Sequence, residues 1–187
     1  MNKTTNVLEN ERVMITQAKE KPHAFTPLYE YYFPRVYSYT LYRVEDPDIA
    51  ADITAQTFEK AYTKLSRYQP ERATFSTWLF TIAANAIRNH KRWRWARNWI
   101  PLDHLNDQKD TRPTPEQSVT QQDTIDDLLQ AVAVLPERER EILALKFGAK
   151  LNNREIAELK GFSASHVGVI LYRAVRTLRA SLEVDNG

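Results

Sequence analysis

The sequence predicts an all-α chain folded as two small helical domains, on three observations. Glycine is scarce, with Gly148, Gly161, Gly168 and Gly187 alone among 187 residues, too few for a chain of tight hairpin turns. Apolar residues recur every three or four positions in most long segments, the period of a helix with one buried face. Between 100 and 123 that periodicity stops: Pro101, Pro113 and Pro115 appear, and Asp103, Asp107, Asp110, Glu116 and Asp123 outnumber Lys109 and Arg112. An acidic linker is expected there, mostly extended with a short turn around 102–105, joining a domain at 1–99 to one at 124–187.

The formal net charge of +2 and pI near 8.8 are mildly basic, so a strongly charged partner has to be met by a local patch. The hydrophobic share of 42% is ordinary for a globular chain. Absence of cysteine removes disulfides, thiolate zinc sites and thiol switches, and suits a reducing compartment. The N-terminal MNKTTNVLENERVMITQAKEK has no apolar run of signal-peptide type, and no segment is long and apolar enough to span a bilayer. The chain reads as cytoplasmic, without membrane insertion. No phosphate-binding glycine loop is present, His23, His90, His104 and His166 are scattered, and no Ser, His and acid arrangement is legible. Neither an enzyme nor a cofactor or metal is expected.

A short amphipathic helix is expected over 7–19, with Val7, Leu8, Val13 and Ile15 available for burial and Lys21, Pro22 and His23 ending it. The second helix covers 24–44 and is rich in Tyr and Phe. Pro34 lies inside it, and because proline lacks the donor of a helical hydrogen bond, a kink or break is expected there. Glu45, Asp46, Pro47 and Asp48 read as a turn that caps the third helix and places acid at its positive end; with no further ligand nearby, the aspartates are turn chemistry and not a metal site. Over 48–67, Ala50, Ile53, Thr57, Phe58, Ala61 and Leu65 mark the core side, while Asp52, Gln56, Glu59, Lys60 and Thr63 mark the opposite face.

The loop 68–74, YQPERAT, leads into FSTWLFTIAANAIRNHKRWRWARNW at 75–99. That stretch holds all four tryptophans and, from Arg88 to Arg97, five Lys/Arg residues with no acid among them. Phe75, Leu79, Ile82 and Ala86 fall on one helical side; Thr77, Thr81, Asn85, Arg88 and Arg92 fall on another. Thr74 and Ser76 are both candidate N-caps. Continuous helix would be on the order of 35 Å long. Cations compensate phosphate charge and release counterions, and flat rings receive unstacked bases, so this interleaving suits single-stranded nucleic acid. A merely solvated basic face, or a helix lying on an anionic membrane, would share the composition. Gln69 in the loop carries an amide able to pair with a base edge.

Periodicity resumes at Thr124, with Leu128, Leu129, Val132 and Leu135 on one face. Pro136 then sits where a first-turn proline is tolerated and opens PEREREILALKF, with Gly148 as the stop. Asn152 and Glu155 have capping-box spacing at the start of a helix over 152–160. Gly161 ends it and Ser163 caps the last helix, 164 to about 182, so the joining turn has helix-turn-helix spacing. Ala157, Val167 and Ile170 supply the close approach such a hairpin needs.

These segments together resemble one family, the RNA polymerase sigma factors of the extracytoplasmic-function (ECF) type. DIAADITAQTFEKAY at 48–62 and FSTWLFTIAANAIRNHKR at 75–92 resemble the sigma-2 domain; LPEREREILALKF at 135–147 and NREIAELKGFSASHVGVILYRAVRTLR at 153–179 resemble the sigma-4 domain. The resemblance implies a transcription initiation factor that binds core RNA polymerase, directs it to promoter DNA and helps melt the minus-ten element. It implies docking of the third helix, through Asp52, Gln56 and Glu59, on the β′ clamp helices, of the second domain on the β flap, and passage of the linker towards the RNA exit path. Flipped minus-ten bases would be captured by Gln69 and Arg72 of the loop and by Asn85, Arg88, Asn89 and Arg92, with Trp78 packed behind. An anti-sigma factor is a further partner the resemblance allows for.

At the minus-thirty-five element the resemblance weakens. Where the family usually holds Thr, then Lys, Ser and Arg, this chain has His166, Gly168, Val169 and Ile170, leaving Ser163, Ser165, His166, Tyr172, Arg173 and Arg176 as the expected helix-turn-helix contacts. Weaker or differently specified upstream binding is expected, or a surface used partly for another protein. The alternative from another class is a helix-turn-helix regulator that binds duplex operators without being a polymerase subunit.

Overall fold

The computed structural model describes residues 3–99, 130 and 132–185, with side chains placed over 10–97, at 130 and over 132–180. The expected linker and the segment with Leu128 and Leu129 lie outside these residues. Among the described residues every regular element is helical: α1 (Lys3–Glu20), α2 (Thr26–Val44), α3 (Pro47–Lys64), α4 (Phe75–Trp99), α5 (Glu137–Leu143), α6 (Asn153–Lys160) and α7 (Ala164–Asp185). Single 3-10 turns at Pro22–Phe25 and Leu65–Arg67 precede α2 and follow α3, and a wide π turn, Ala144–Gly148, continues α5.

Local chemistry sets most boundaries. The Asp46 carboxylate accepts from the amides of Asp48 and Ile49, both at 3.0 Å, with Pro47 in the first turn of α3, so the aspartate is a cap and not a metal ligand. Thr74, not Ser76, caps α4, accepting from the Thr77 amide at 3.2 Å. Asn152 and Glu155 close the reciprocal capping box of α6, and Gly161 ends it at φ +69°, a left-handed conformation glycine adopts without strain. Pro136 stands one residue outside α5 as its N-cap. Pro34 does not break α2, which runs through it as one element. Pro34 and Glu30 are both exposed, so the carbonyl left without its helical donor lies on the wet side.

α2 is the central element and packs on α1, α3, α4 and the π turn. Its buried stripe Leu28, Tyr32, Val36 and Tyr39 meets Ile53, Phe58 and Ala61 of α3 and Phe75, Leu79, Phe80 and Ile87 of α4 in a core that continues into Ile142, Leu145, Leu151 and Ile156. Two expected placements change: Val13 is exposed, and Thr77 is buried under the start of α4. Val13 is exposed because α1 buries only its Ile15 and Ala18 side, and Thr77 is buried because α6 packs over the head of α4.

The two halves touch closely because Gly148 has no side chain. A Cβ there would stand 2.9 Å from the Tyr39 amide nitrogen and 3.0 Å from its Cα, backbone atoms that cannot step aside. Next to this contact Arg35 of α2 is 9% exposed. It donates from Nε to the Ala149 carbonyl at 2.8 Å, with its guanidinium over the rings of Tyr31, Tyr32 and Phe80. In the last turn of α2, buried Arg43 reaches Glu137 at 2.7 Å, and Lys91 of α4 meets the same carboxylate oxygen at 2.7 Å.

Gly148→Ala is expected to lower unfolding free energy by about 1–3 kcal/mol through overpacking, read by denaturant titration. Burial pushes the Glu137 carboxyl up, but hydrogen bonds and charge from Lys91 and Arg43 outweigh it and hold the group below its ordinary value of 4.5. A depressed carboxylate stabilises above its unfolded pKa and loses that contribution as pH falls through the folded value. The stability difference between the wild type and Glu137→Gln should therefore be constant at neutral pH and shrink below about pH 4.5.

Candidate nucleic-acid interface

Loop 68–74 is held from both sides. The Tyr68 carbonyl accepts from Lys19 Nζ of α1 at 3.0 Å, the Tyr68 hydroxyl donates to the Ala73 carbonyl at 3.0 Å, and the Arg72 amide donates to the Gln69 carbonyl at 3.1 Å. Gln69 and Arg72 therefore stand at the two ends of one turn, both exposed. Trp78 is half-buried behind it against Tyr68 and Phe75, at ring separations of 5.2 and 5.6 Å, where the sequence placed it. Ser76, buried at the head of α4, donates to Glu155 of α6 at 2.7 Å.

Along α4, Asn85, Arg88, Asn89 and Arg92 are all exposed, and their spacing puts them on one face. From first to last they extend about 10 Å at about 1.5 Å per residue, roughly three stacked base steps of about 3.4 Å. Arg88 Nη1 donates to Asn85 Oδ1 at 2.9 Å. A guanidinium has only donors, so this bond fixes which end of the amide is oxygen and leaves the Asn85 NH₂ for an acceptor on a base edge. Trp93 and Trp95 are 56% and 65% exposed, and Arg97 lies 4.7 Å over the Trp93 ring. His90 adds no charge to this track: burial first, then the charge of Arg94, hold its pKa below the ordinary value.

Two depressions flank the basic helix. A cleft of about 440 Å³ between α4 and the second half is lined by Arg88, Lys91, Arg92 and Trp95 on one wall and Glu137, Glu141 and Lys160 on the other. A groove of about 350 Å³ between α3 and α4 is lined by Asp52, Gln56, Lys60, Asn89, His90 and Trp93. The structure thus brings Asn89 together with Asp52 and Gln56, whereas the sequence assigned them to separate surfaces. Glu59 is exposed on α3 but does not line that groove.

In the helix-turn-helix, Ser163, Ser165, His166, Tyr172, Arg173 and Arg176 are exposed, Tyr172 at 70%. The Ser163 hydroxyl accepts from the His166 amide at 3.1 Å, so it serves first as the cap of α7. Tyr172, Arg176 and Arg179 line a shallow groove with Leu171, Val175 and Ala180. Ile170 and Val167 are buried and belong to the hairpin core, while Val169 is exposed.

Sequence reasoning missed Lys19, the Lys91–Glu137 contact and Arg138, which lies against His166. Lys91 was visible in the basic run, but its partner is 46 residues away and no periodicity signals it. Among the described residues no group of three His, Asp or Glu converges on a metal position, and no helix is long and apolar enough to cross a membrane.

Family models match both halves: sigma-70 region 2 over residues 28–97 and sigma-70 region 4 over residues 131–180. The chain is 32% identical over 162 residues to the ECF RNA polymerase sigma factor BldN of Streptomyces coelicolor, covering 87% of this chain and 61% of that relative. It thus spans about three-fifths of the length of BldN. To the RNA polymerase sigma factor YlaC of Bacillus subtilis it is 27% identical over 161 residues, covering 83% of this chain and 90% of that one. Among solved structures, CnrH in complex with the cytosolic domain of CnrY shares the fold at a TM-score of 0.67 and 20% identity, over 93% of this chain and 97% of that one. The sigma factor RpoE of Bartonella quintana, in complex with the anti-sigma factor NepR, does so at 0.64 and 19%, over 86% and 98%. Both sigma-70 regions, in order and on the expected helices, show that the chain belongs to the RNA polymerase sigma factors of the ECF type, a family of transcription initiation factors.

Proposed function

We propose that this sigma factor binds core RNA polymerase in the cytoplasm, brings it to promoters and holds the opened minus-ten strand on α4 while the polymerase supplies the chemistry. The carrying observation is the exposed row Asn85, Arg88, Asn89 and Arg92 beside the pinned turn with Gln69 and Arg72. Stacking is worth about 1–3 kcal/mol per base and flipping costs a few kcal/mol, so captured bases offset much of the melting. Residues 1–99 act as the melting and core-binding unit, with Asp52, Gln56 and Glu59 meeting the β′ clamp helices. Residues 124–187 meet the β flap and, through Ser163, Ser165, His166, Tyr172, Arg173 and Arg176, the minus-thirty-five element. An anti-sigma factor is a fitting antagonist, as one accompanies the RpoE neighbour.

Strand capture competes with the contact between the halves. Glu137 is paired with Lys91 and faces the cleft that Arg88, Arg92 and Trp95 line, so its carboxylate repels a phosphate approaching that wall. The second domain moves away when the polymerase takes it.

The deciding experiment mixes the purified chain with core polymerase and measures co-elution and binding of a fluorescent non-template minus-ten strand. The assembled enzyme should bind the strand far more tightly than either component. Asn85→Ala should cost about 1–3 kcal/mol of strand affinity, and Arg88→Ala should lower the salt slope by about 0.7. Combined Ala substitution of Asp52, Gln56 and Glu59 should weaken co-elution at least tenfold. Glu137→Gln should act oppositely, raising strand binding by the free chain a few-fold; no change in any of the four would overturn the proposal.

A further inference from the structure

The first nine residues of α7, ASHVGVILY at 164–172, contain no Lys or Arg. The N-terminal residues of a recognition helix are those that approach DNA, and an approach to the backbone without a cation forfeits counterion release. The structure brings a cation there from another helix. Arg138 of α5 is exposed, its guanidinium carbon lies 4.6 Å over the ring of Phe162 in the turn, and its Nη2 meets His166 Nε2. The Phe162 and His166 rings are 5.3 Å apart at 80°, so arginine, phenylalanine and histidine form one packed group at the head of α7.

Of the other cations around the hairpin, Arg140 pairs with Glu45, Lys160 with Glu141, and Arg43 and Lys91 with Glu137, while Lys146 donates to the Asn153 amide oxygen at 3.1 Å. Arg138, among the described residues, meets a ring and an imidazole. Because a guanidinium can only donate, His166 accepts at Nε2 and keeps its proton on Nδ1. Phe162 covers one face of the guanidinium and limits its rotamers, which lowers the entropy lost when it binds an anion.

We propose that Arg138 provides a cation that α7 itself lacks, binding a backbone phosphate of the minus-thirty-five duplex, while its bond to Nε2 leaves the Nδ1–H of His166 as a separate donor to the duplex. This rests on the reading of α7 as the upstream DNA-binding helix, and the test separates the two. The holoenzyme, assembled from core polymerase and the full chain, is titrated with an upstream duplex carrying the minus-thirty-five element over a range of salt concentrations. Arg138→Gln should weaken binding several-fold and reduce the slope of log K against log salt by about 0.9, the loss of one duplex phosphate contact. Arg138→Lys, which keeps the charge without the flat face, should keep the slope while weakening affinity. His166→Ala should weaken affinity with the slope unchanged.

An unchanged slope in Arg138→Gln, with a reduced slope in Arg173→Ala, would overturn the Arg138 assignment and leave the upstream reading standing. Unchanged slopes in both would overturn both. Thermal unfolding of each variant identifies a loss that comes from the cation–π contact, since lost packing moves the midpoint but not the salt slope.

Discussion

Arg35 decides how the two halves fit together. Burying a guanidinium costs several kcal/mol unless its donors find acceptors, and the acceptors come from the other half. The π turn ends at Gly148, so the carbonyls of Ala149 and Lys150 lie beyond any helix and accept from Arg35 at 2.8 and 3.5 Å. A register slip of one residue would leave the charge buried without partners, which costs more than the bonds are worth. Gly148 permits the approach, Arg35 fixes its register, and the three surrounding rings keep water out.

The same arrangement governs the electrostatics of the candidate site. A chain with net charge +2 concentrates cations on α4, and in the packed form one acid of the second half, Glu137, is shared between Arg43 and Lys91. Arg43 is buried and Lys91 is not, so the shared carboxylate joins a structural contact to a functional surface. In the proposed function an anionic strand and this acid compete for the same cation. On that reading, compactness of the free chain and grip on DNA are coupled through Glu137, a side chain outside both recognition elements.

Much of this was legible in the sequence because it is local. The buried stripe of α3, the capping box of Asn152 and Glu155, the left-handed Gly161 and the exposed row from Asn85 to Arg92 each follow from periodicity or from a residue's own conformational preferences. Pro34 does not break α2 because α2 turns it to solvent, where the carbonyl without its helical donor meets water. Thr77 misled because α6 covers the head of α4. The Arg35, Glu137 and Arg138 contacts join residues 28 to 115 positions apart, and nothing in a single sequence pairs them. Periodicity marked which residues are exposed on α4 and α7; the tertiary contacts show which of them restrain one another.

At the centre of the account is a claim about strand opening: polymerase and this chain together, and neither alone, expose the bases of the minus-ten element on α4. Permanganate reactivity of thymines in a duplex promoter measures this directly. The account predicts reactive minus-ten thymines only when both proteins are present. Thymines that stay unreactive in the assembled complex, or tight promoter-duplex binding by the chain without polymerase, would contradict it.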